Sequence, residues 1–336
     1  DVINQGNNIL EYNGLVFIVD GDEIYRYDKL TNSVRRVGNT SYGNVYDKIF
    51  IVRDKLLFSS DNEIYAYDIS NGGINKIFDG QLEYANDDIY IYTIFENSKE
   101  YLYVSSYNKS NMRIINDYIY CLAHGNDIFL LREQGDVLLF GSNNTNGSKT
   151  LFSVDLINQK CQVLIQSCNT SYGDDVVLAD AAISEEGEYY YILTNLESNS
   201  LGSFESESNL YYYTKTYGLG ELARPNVTSC FARHKTEKDA VLVSYFDETE
   251  NLYKWGSITS DLEESTVHNI QGEVTDSFVK EGTEVFCEGV KIGEIKENNW
   301  ITYVSLVGDT FYIKVNDLKA SYWYTYSKDG SLRKII

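Results

Sequence analysis

The most constraining feature of the sequence is an internal repeat made of strand-sized segments. Residues 48–78 align with residues 127–165 strand for strand, so four predicted strands in the first copy match four in the second. The later copy differs mainly by a longer second loop, Gly141 to Lys149, which a repeat protein can accept at little cost. The short segment Asn-Thr-Ser-Tyr-Gly at residues 39–43 is repeated at residues 169–173, each time between two units. The chain is therefore predicted to repeat one unit along its length.

The spacing of these units predicts an all-β fold, a β-propeller of four-stranded blades. Marker residues in the third strand of each unit follow one another at intervals of 40, 37, 50, 59, 42, 39 and 31 residues, a mean of roughly 43. Helical repeats of similar length would need amphipathic helices, whereas this sequence alternates with period two. The markers are Ile24, Ile64, Tyr101, Leu151, Leu210, Leu252, Lys291 and Tyr322.

We expect one domain over residues 1–336, with eight blades favoured over seven because the last 66 residues leave room for two minimal blades. The unit around Lys291 is the weak one, since it carries little apolar bulk and shows no obvious fourth strand before Trp300. The predicted blades are 7–39, 44–79, 80–123, 124–168, 174–224, 226–270, 271–298 and 299–336.

The composition agrees with a propeller. A twisted four-stranded sheet cannot bury both faces alone, and stacking against its neighbours does so. The 30 tyrosines are therefore expected mainly to fill the space between sheets, with their hydroxyls where water begins.

Charge and hydropathy exclude some classes of partner. The formal net charge of −22 would repel a phosphate backbone, so nucleic acid is not expected as a partner. The longest apolar runs are strand-sized, so no transmembrane segment is predicted and a soluble protein is expected. The chain begins at Asp1, which is consistent with removal of a leader, and we therefore expect an extracellular or cell-surface location.

The cysteines do not form a recognisable framework. Five of them, an odd number at wide spacing, match neither a disulfide scaffold nor a zinc site. Cys161 and Cys168 are close enough in sequence to bridge a short loop, and the alternative is that they are small apolar side chains on strands.

The third-strand motifs carry a resemblance to known proteins. Ile24–Asp28 and Ile64–Asp68 are similar to the I/L-Y-x-Y-D pattern of TolB-like and YWTD-like bacterial propellers. Tyr322–Thr325 is the tetrapeptide most similar to YWTD, with its positions shifted, and no WD dipeptide closes the units. The resemblance implies a binding scaffold and transfers no site residues, and many propellers of this kind are surface or exported proteins. Apart from a candidate structural calcium, no cofactor is expected.

The candidate ligand-binding residues lie on one predicted face. In a propeller the loops between strands two and three share a face with the loops that join blades, and binding residues concentrate there. These loops are rich in oxygen ligands, so Asp20, Asp22 and Glu23 are candidates for a structural calcium site. The alternative is a simple Asp-Gly turn. The ligand-binding candidates are Asp20, Asp22, Asp61, Glu96, Asn144, Asn146, Asp247 and Glu250.

Signals for catalysis are weak. Adjacent acids invite a glycosidase interpretation, but neighbouring residues on a strand point to opposite faces. The acid pairs begin at Asp87, Asp174, Glu185 and Glu263, and the histidines are His124, His234 and His268, each in a different unit. No serine-hydrolase, phosphate-loop or zinc-protease motif occurs.

We therefore predict a non-catalytic binding scaffold that recognises a protein, peptide or glycan. The best candidates for partner contact are the long loops Gly141 to Lys149 and Leu196 to Ser208. The alternative is a carbohydrate-active enzyme, a glycoside hydrolase or lyase, that uses acids at the mouth of the channel.

Overall fold

The chain is built from antiparallel strands, as a computed structural model shows, and no helix is found in the part that it describes. The all-β class predicted from the sequence is confirmed. The described residues are 2–3, 5–38, 45–112, 114–125, 128–143, 149–158, 160–166, 176–184, 189–198, 204–213, 220–224, 227–232, 241–247, 252–258, 264–266, 278–287, 289–327 and 330–336.

Within these residues the strands form eight sheets, each containing strands that are consecutive in the chain. The first sheet contains β1 (Val2–Ile3), β2 (Ile9–Tyr12), β3 (Leu15–Asp20), β4 (Glu23–Asp28) and β5 (Ser33–Arg36). The second contains β6 (Phe50–Val52), β7 (Lys55–Ser60), β8 (Glu63–Asp68) and β9 (Ile74–Asp79). The third contains β10 (Gln81–Ala85), β11 (Ile89–Glu96), β12 (Lys99–Tyr107) and β13 (Ile114–Gly125).

The fourth sheet contains β14 (Ile128–Gln134), β15 (Val137–Asn143), β16 (Lys149–Asp155) and β17 (Lys160–Gln166). The fifth contains β18 (Val176–Ile183), β19 (Tyr189–Ser198), β20 (Phe204–Tyr213) and β21 (Gly220–Arg224). The sixth contains β22 (Val227–Ala232), β23 (Val241–Asp247), β24 (Leu252–Ile258) and β25 (Glu264–Thr266). The seventh contains β26 (Phe278–Glu281), β27 (Glu284–Cys287) and β28 (Val290–Glu294), and the eighth contains β29 (Trp300–Val307), β30 (Thr310–Asn316), β31 (Ser321–Ser327) and β32 (Arg333–Lys334).

Each sheet is a meander, in which every strand hydrogen-bonds to the strand before it and the strand after it. Tight turns make this possible. In the β3–β4 hairpin, Asp20 pairs with Glu23 across a two-residue turn, and Gly21 has a φ of +66° there, a conformation that glycine adopts without steric cost. The alternating apolar residues of β4 and β8 place Ile24 and Ile64 in the core, as period-two patterns predict.

The seventh sheet has three described strands. Leu332, in the last hairpin of the eighth sheet, packs closely against the third of these strands, β28. The backbone N–H of Leu332 donates to the carbonyl of Ile292 in β28 at 2.9 Å. A Cβ atom on Gly293 would lie only 2.6 Å from Cβ of Leu332, so glycine is required at this position. The weak apolar pattern around Lys291 agrees with β28, in which Ile292 is the one buried side chain.

The chain divides into two compact units. The first contains residues 1–90, 107–115 and 271–336, and the second contains residues 91–106 and 116–270. In the second unit, the fourth and fifth sheets bury a shared cluster that includes Leu139, Leu151, Tyr191 and Tyr211.

In the first unit, sheets that are neighbours in the chain pack against each other. Phe17 of the first sheet and Phe58 of the second lie in one cluster, and Val285 of the seventh and Ile313 of the eighth lie in another. The eighth sheet also packs against the first, where Trp323 shares a third cluster with Ile18. Four-stranded meanders that bury both faces against successive neighbours, the last against the first, are the architecture of β-propeller blades.

Candidate functional site

The predicted calcium candidates lie in the β3–β4 hairpin, and two of them bind cations of the protein itself. The carboxylate of Asp20 is 2.6 Å from Nζ of Lys314 and accepts a hydrogen bond from the Ser321 hydroxyl at 3.0 Å. Glu23 forms an ion pair with Arg36. Asp22 is exposed in the turn. Across the described ranges no three His, Cys, Asp or Glu side chains converge on a point that could hold a metal ion.

The remaining predicted ligand-binding residues are scattered over the sheets or lie outside the residues that the structure describes. Asp61 is exposed in the β7–β8 turn, where its φ is +48°, and Glu96 is exposed at the end of β11. Asp247 ends β23, a strand whose side chains are not described. Asn144, Asn146 and Glu250 lie outside the described residues.

The loops predicted to contact a partner are described only at their ends. The first connects β15 to β16, where Asn143 accepts the backbone N–H of Leu178 at 3.2 Å and Lys149 is buried. The second joins β19 to β20, and its residues 199–203 lie outside the description.

Most of the other residues considered for chemistry are also only partly described. Asp88 pairs with Lys109 at 2.7 Å, whereas residues 174–175, 185–186 and 263 lie outside the description. The same holds for His234 and His268, and the side chain of His124 is not described. Cys161 lies in β17 and Cys168 is not described, so a bridge between them stays a prediction.

Among the described residues, a cavity of about 440 Å³ in the first unit is a candidate site. It lies where the C-terminal end of β4 meets the β30 and β31 strands of the eighth sheet. Pockets of this size hold small molecules. The lining residues are Tyr27, Lys29, Thr310, Tyr312, Thr325, Ser327, Gly330, Ser331, Leu332 and Arg333.

Strand register places these side chains together. Thr310 pairs with Ser327, and Tyr312 pairs with Thr325, two positions apart in the β30–β31 ladder. Residues two apart on a strand share one face, so the hydroxyls of this segment line the same wall. Tyr27 of β4 lies on the opposite wall, because the first and eighth sheets bury it in their common cluster.

An ion-pair network holds Lys29 at the side of the cavity. Its Nζ donates to both carboxylate oxygens of Glu11 at 3.1 Å and lies 3.8 Å from the carboxylate of Asp309. The Thr310 hydroxyl also donates to Asp309, at 3.0 Å. The charge of Lys29 is thus balanced by the protein.

Tyr312 is the unusual residue of this site. Its side chain is fully buried, and its hydroxyl has no hydrogen-bond partner among the residues that the structure describes. Burial raises the pKa of this tyrosine, and the nearby Glu11 raises it further, so the hydroxyl stays a neutral donor. A buried hydroxyl without a partner costs roughly 1–3 kcal/mol.

The described lining of this cavity offers groups that can bind a polar ligand. Its lining offers hydroxyl groups and two cationic side chains, and among the lining residues that are described none is a carboxylate, histidine or cysteine. An acid–base reaction would need a titratable pair within hydrogen-bond reach of the substrate.

The sequence did not predict this cavity, because the candidate residues chosen from it lie at the opposite ends of the strands. The predicted turn residues Asp20 to Glu23 lie at the β3–β4 hairpin, whereas Lys29 follows the opposite end of β4. One signal was present in the sequence, since a closed repeat brings the first and last units together. The tetrapeptide Tyr322–Thr325 lies in β31 and supplies the lining residue Thr325.

No described segment is a helix with the length and hydropathy that a membrane crossing would need. No family model matches the sequence. A curated relative, falstatin from Plasmodium berghei (strain Anka), is 25% identical over 155 residues, which cover 46% of this chain. The chain spans 40% of the length of that relative.

Solved structures are similar in fold. An ancestral GH74 enzyme matches 99% of this chain and 45% of its own at a TM-score of 0.51 and 11% identity. The N-terminal domain of Nup159 matches 98% of this chain and 88% of its own at 0.48 and 11%. The β-propeller domain of the Trilobed protease from Pyrococcus furiosus matches 99% and 97% at 0.46 and 10%. At 11% identity the match to the GH74 enzyme shows a likeness of fold alone. The stacked meander sheets of this chain have the architecture of β-propeller blades.

Proposed function

We propose that this protein is a non-catalytic binding module that holds a small, hydroxyl-rich ligand in the cavity between its first and eighth sheets. The observation that carries the proposal is the described lining of the cavity, which combines the hydroxyl side chains Thr310, Thr325 and Ser327 with two cationic side chains. Hydroxyl oxygens on a ligand can both accept from and donate to such side chains. A glycan, among the partner classes predicted from the sequence, offers such oxygens.

The alternative is a carbohydrate-active enzyme. A glycosidase needs two carboxylates on either side of the scissile bond. Glu11 and Asp309 lie beside the cavity, but both contact Lys29 and neither belongs to its described lining. This arrangement favours retention of a sugar over its cleavage.

The finer features predicted from the sequence extend the proposal to the whole chain. We propose an eight-bladed propeller of the TolB-like or YWTD-like kind that acts outside the cell, with a protein, peptide or glycan as partner at the loop face. The eight meander sheets support the blade number. The turn residues Asp20, Asp22, Asp61 and Glu96 remain candidates for contact there, and a structural calcium at Asp20 would require Asp20 to leave Lys314.

A large side chain placed at the mouth of the cavity tests whether the ligand binds there. Isothermal titration of the intact chain with D-glucose, D-galactose, cellobiose and D-glucuronate should show binding of at least one sugar. Ser331 is an exposed lining residue, so a Ser331→Phe variant should fold and should lose that binding. Ser110→Phe, in an exposed turn away from the cavity, is the matched control and should bind normally.

Three outcomes would contradict the proposal. The first is that none of the four sugars binds, and the second is that both phenylalanine variants bind as the unmodified chain does. The third is the appearance of glucose from cellobiose, measured by chromatography, which would favour the enzyme.

A further inference from the structure

We infer that the ligand of this cavity is an acidic sugar, whose anionic group binds Arg333 while its hydroxyls bind the wall formed by β30 and β31. The inference rests on the proposed function and adds the chemical class of the ligand. It follows from three features of the cavity: the distribution of charge, the donors in the wall and the volume.

The charge of the lining is the opposite of the charge of the protein. The chain as a whole has a formal net charge of −22, with 50 acidic residues against 28 basic ones. The described lining nevertheless includes two basic side chains, Lys29 and Arg333, and no acidic one. A cation that the protein itself does not neutralise favours a negatively charged group in a concave site of so acidic a protein.

The two cations are not equivalent. Lys29 is balanced by Glu11 and Asp309, so it presents little net charge to a ligand. Arg333 is exposed, and no ion pair with it occurs among the residues that the structure describes. A guanidinium group matches the two oxygens of a carboxylate with two parallel hydrogen bonds. Arg333 is therefore the group that would bind the anion.

The wall supplies donors and acceptors for hydroxyl groups. Thr325 and Thr310 are buried, and Ser327 is half-buried beside them. A hydroxyl group both donates and accepts, so a row of them suits a polyhydroxylated molecule better than a purely apolar one. The ring of Tyr27 gives the site one aromatic surface.

The volume limits the ligand. A cavity of about 440 Å³ accommodates one or two sugar rings but not a folded partner. A single anionic group is enough to engage Arg333, while the remaining atoms fill the hydroxyl-lined part. Both a sugar carboxylate and a sugar phosphate provide this chemistry, and the experiment separates them.

The test compares ligands that differ in one group. We expect the intact chain to bind D-glucuronate about tenfold more tightly than D-glucose, the size of one charge-assisted hydrogen-bond pair. In an Arg333→Gln variant this ratio should fall to about one, because the neutral amide cannot form the charge-assisted pair with the anion. Arg35→Gln removes an exposed arginine on β5, away from the cavity, and should keep the ratio. D-glucose 6-phosphate shows whether phosphate replaces the carboxylate, and a preference for either anion supports the inference.

The outcomes separate the two proposals. If glucose and both anions bind equally, the proposed function holds and the inference is wrong. If none binds, the proposed function itself fails. If Arg35→Gln abolishes the preference as Arg333→Gln does, the effect is one of overall charge and the assignment of Arg333 is wrong. If the free carboxylate of glycylglycine binds more tightly than glucuronate, the ligand is a peptide and not a sugar.

Discussion

At the scale of single residues, the aspartate that ends the recurring Ile-Tyr-x-Tyr-Asp motif stabilises the turn that follows it. Oδ1 of Asp28 accepts the backbone N–H groups two and three residues further on, at 2.9 and 3.1 Å. Asp68 does the same at 3.0 and 3.2 Å. Asp155, which ends β16 without the tyrosine motif, makes the same two hydrogen bonds at 2.9 and 2.8 Å. The motif therefore combines a strand with the signal that ends it, which explains why its last residue recurs as aspartate.

These hydrogen bonds favour the charged form of each carboxylate and lower its pKa. For Asp68 the largest contribution is a hydrogen bond from Nζ of Lys55 at 2.8 Å, followed by one from the Ser70 hydroxyl at 2.6 Å. A carboxyl group whose pKa is lower in the folded state stabilises that state above the ordinary pKa of about 3.9, and the effect fades as the pH falls below that value.

We predict that Asp68→Ala lowers the urea midpoint at pH 7 and that this deficit narrows when the same measurement is made near pH 3. The reason is that the unmodified chain progressively loses the stabilising charge as the pH falls. Asp22→Ala, which removes an exposed turn carboxylate, is the control and should show a smaller deficit at pH 7. A deficit of equal size at both pH values would show that the charge of Asp68 does not contribute.

At the scale of the strand and sheet, two glutamines connect neighbouring sheets through the same pair of bonds. In the first unit the amide of Gln5 donates to the carbonyl of Ile51 at 2.9 Å and accepts the backbone N–H of that residue at 3.0 Å. In the second unit Gln134 does the same for Ile183, whose N–H donates at 3.0 Å. Ile51 and Ile183 lie in the first strands of their sheets, whose edge backbone groups would otherwise need other partners.

We predict that Gln134→Leu lowers the free energy of unfolding by about 1–3 kcal/mol, since it leaves a backbone donor and acceptor of Ile183 without their partner. Urea denaturation followed by tyrosine fluorescence measures the change. Gln162→Leu, on the exposed side of β17, is the matched control and should shift the value by less than about 0.5 kcal/mol. Similar losses in the two variants would mean that the bridge adds nothing specific.

These bridges show which parts of the structure the sequence could predict. Period-two alternation identified β4 and β8 residue for residue, because a strand's burial is encoded in its own side chains. The bridge from Gln134 to Ile183 spans 49 residues and depends on how two sheets pack, which no local pattern encodes. For the same reason the candidate residues on the hairpin turns did not lead to the cavity, whose walls come from Tyr27 and from residues near 325.

At the scale of the whole molecule, the first and last parts of the chain pack together within the first unit. The Tyr303 hydroxyl donates to Asn8 at 3.0 Å, across 295 residues of sequence. Lys314 forms an ion pair with Asp20 at 2.6 Å, and their side chains are only 26% and 12% exposed. Contacts between residues so far apart in the sequence stabilise the fold. They form late or slowly in folding, because a large loop must close first.

We predict that this ion pair contributes more than an exposed pair of similar length. A double-mutant cycle with Asp20→Asn and Lys314→Met should give a coupling free energy of about 1–2 kcal/mol, because both groups are largely shielded from water. The cycle also separates the pair from the approach of Lys314 to the Trp323 ring, at 5.7 Å from its centroid. Lys109 and Asp88 form the matched control at 2.7 Å, with side chains 54% and 71% exposed.

The control pair should couple by less than about 0.5 kcal/mol, because water and salt screen it. Repeating the first cycle in calcium chloride extends the test to the predicted calcium site. If Asp20 serves to join the first and last sheets, calcium leaves the coupling and the urea midpoint unchanged. If calcium instead raises the midpoint and removes the coupling to Lys314, Asp20 is a metal ligand in solution, and closure between the two sheets must depend on their apolar cluster around Trp323 and Ile18.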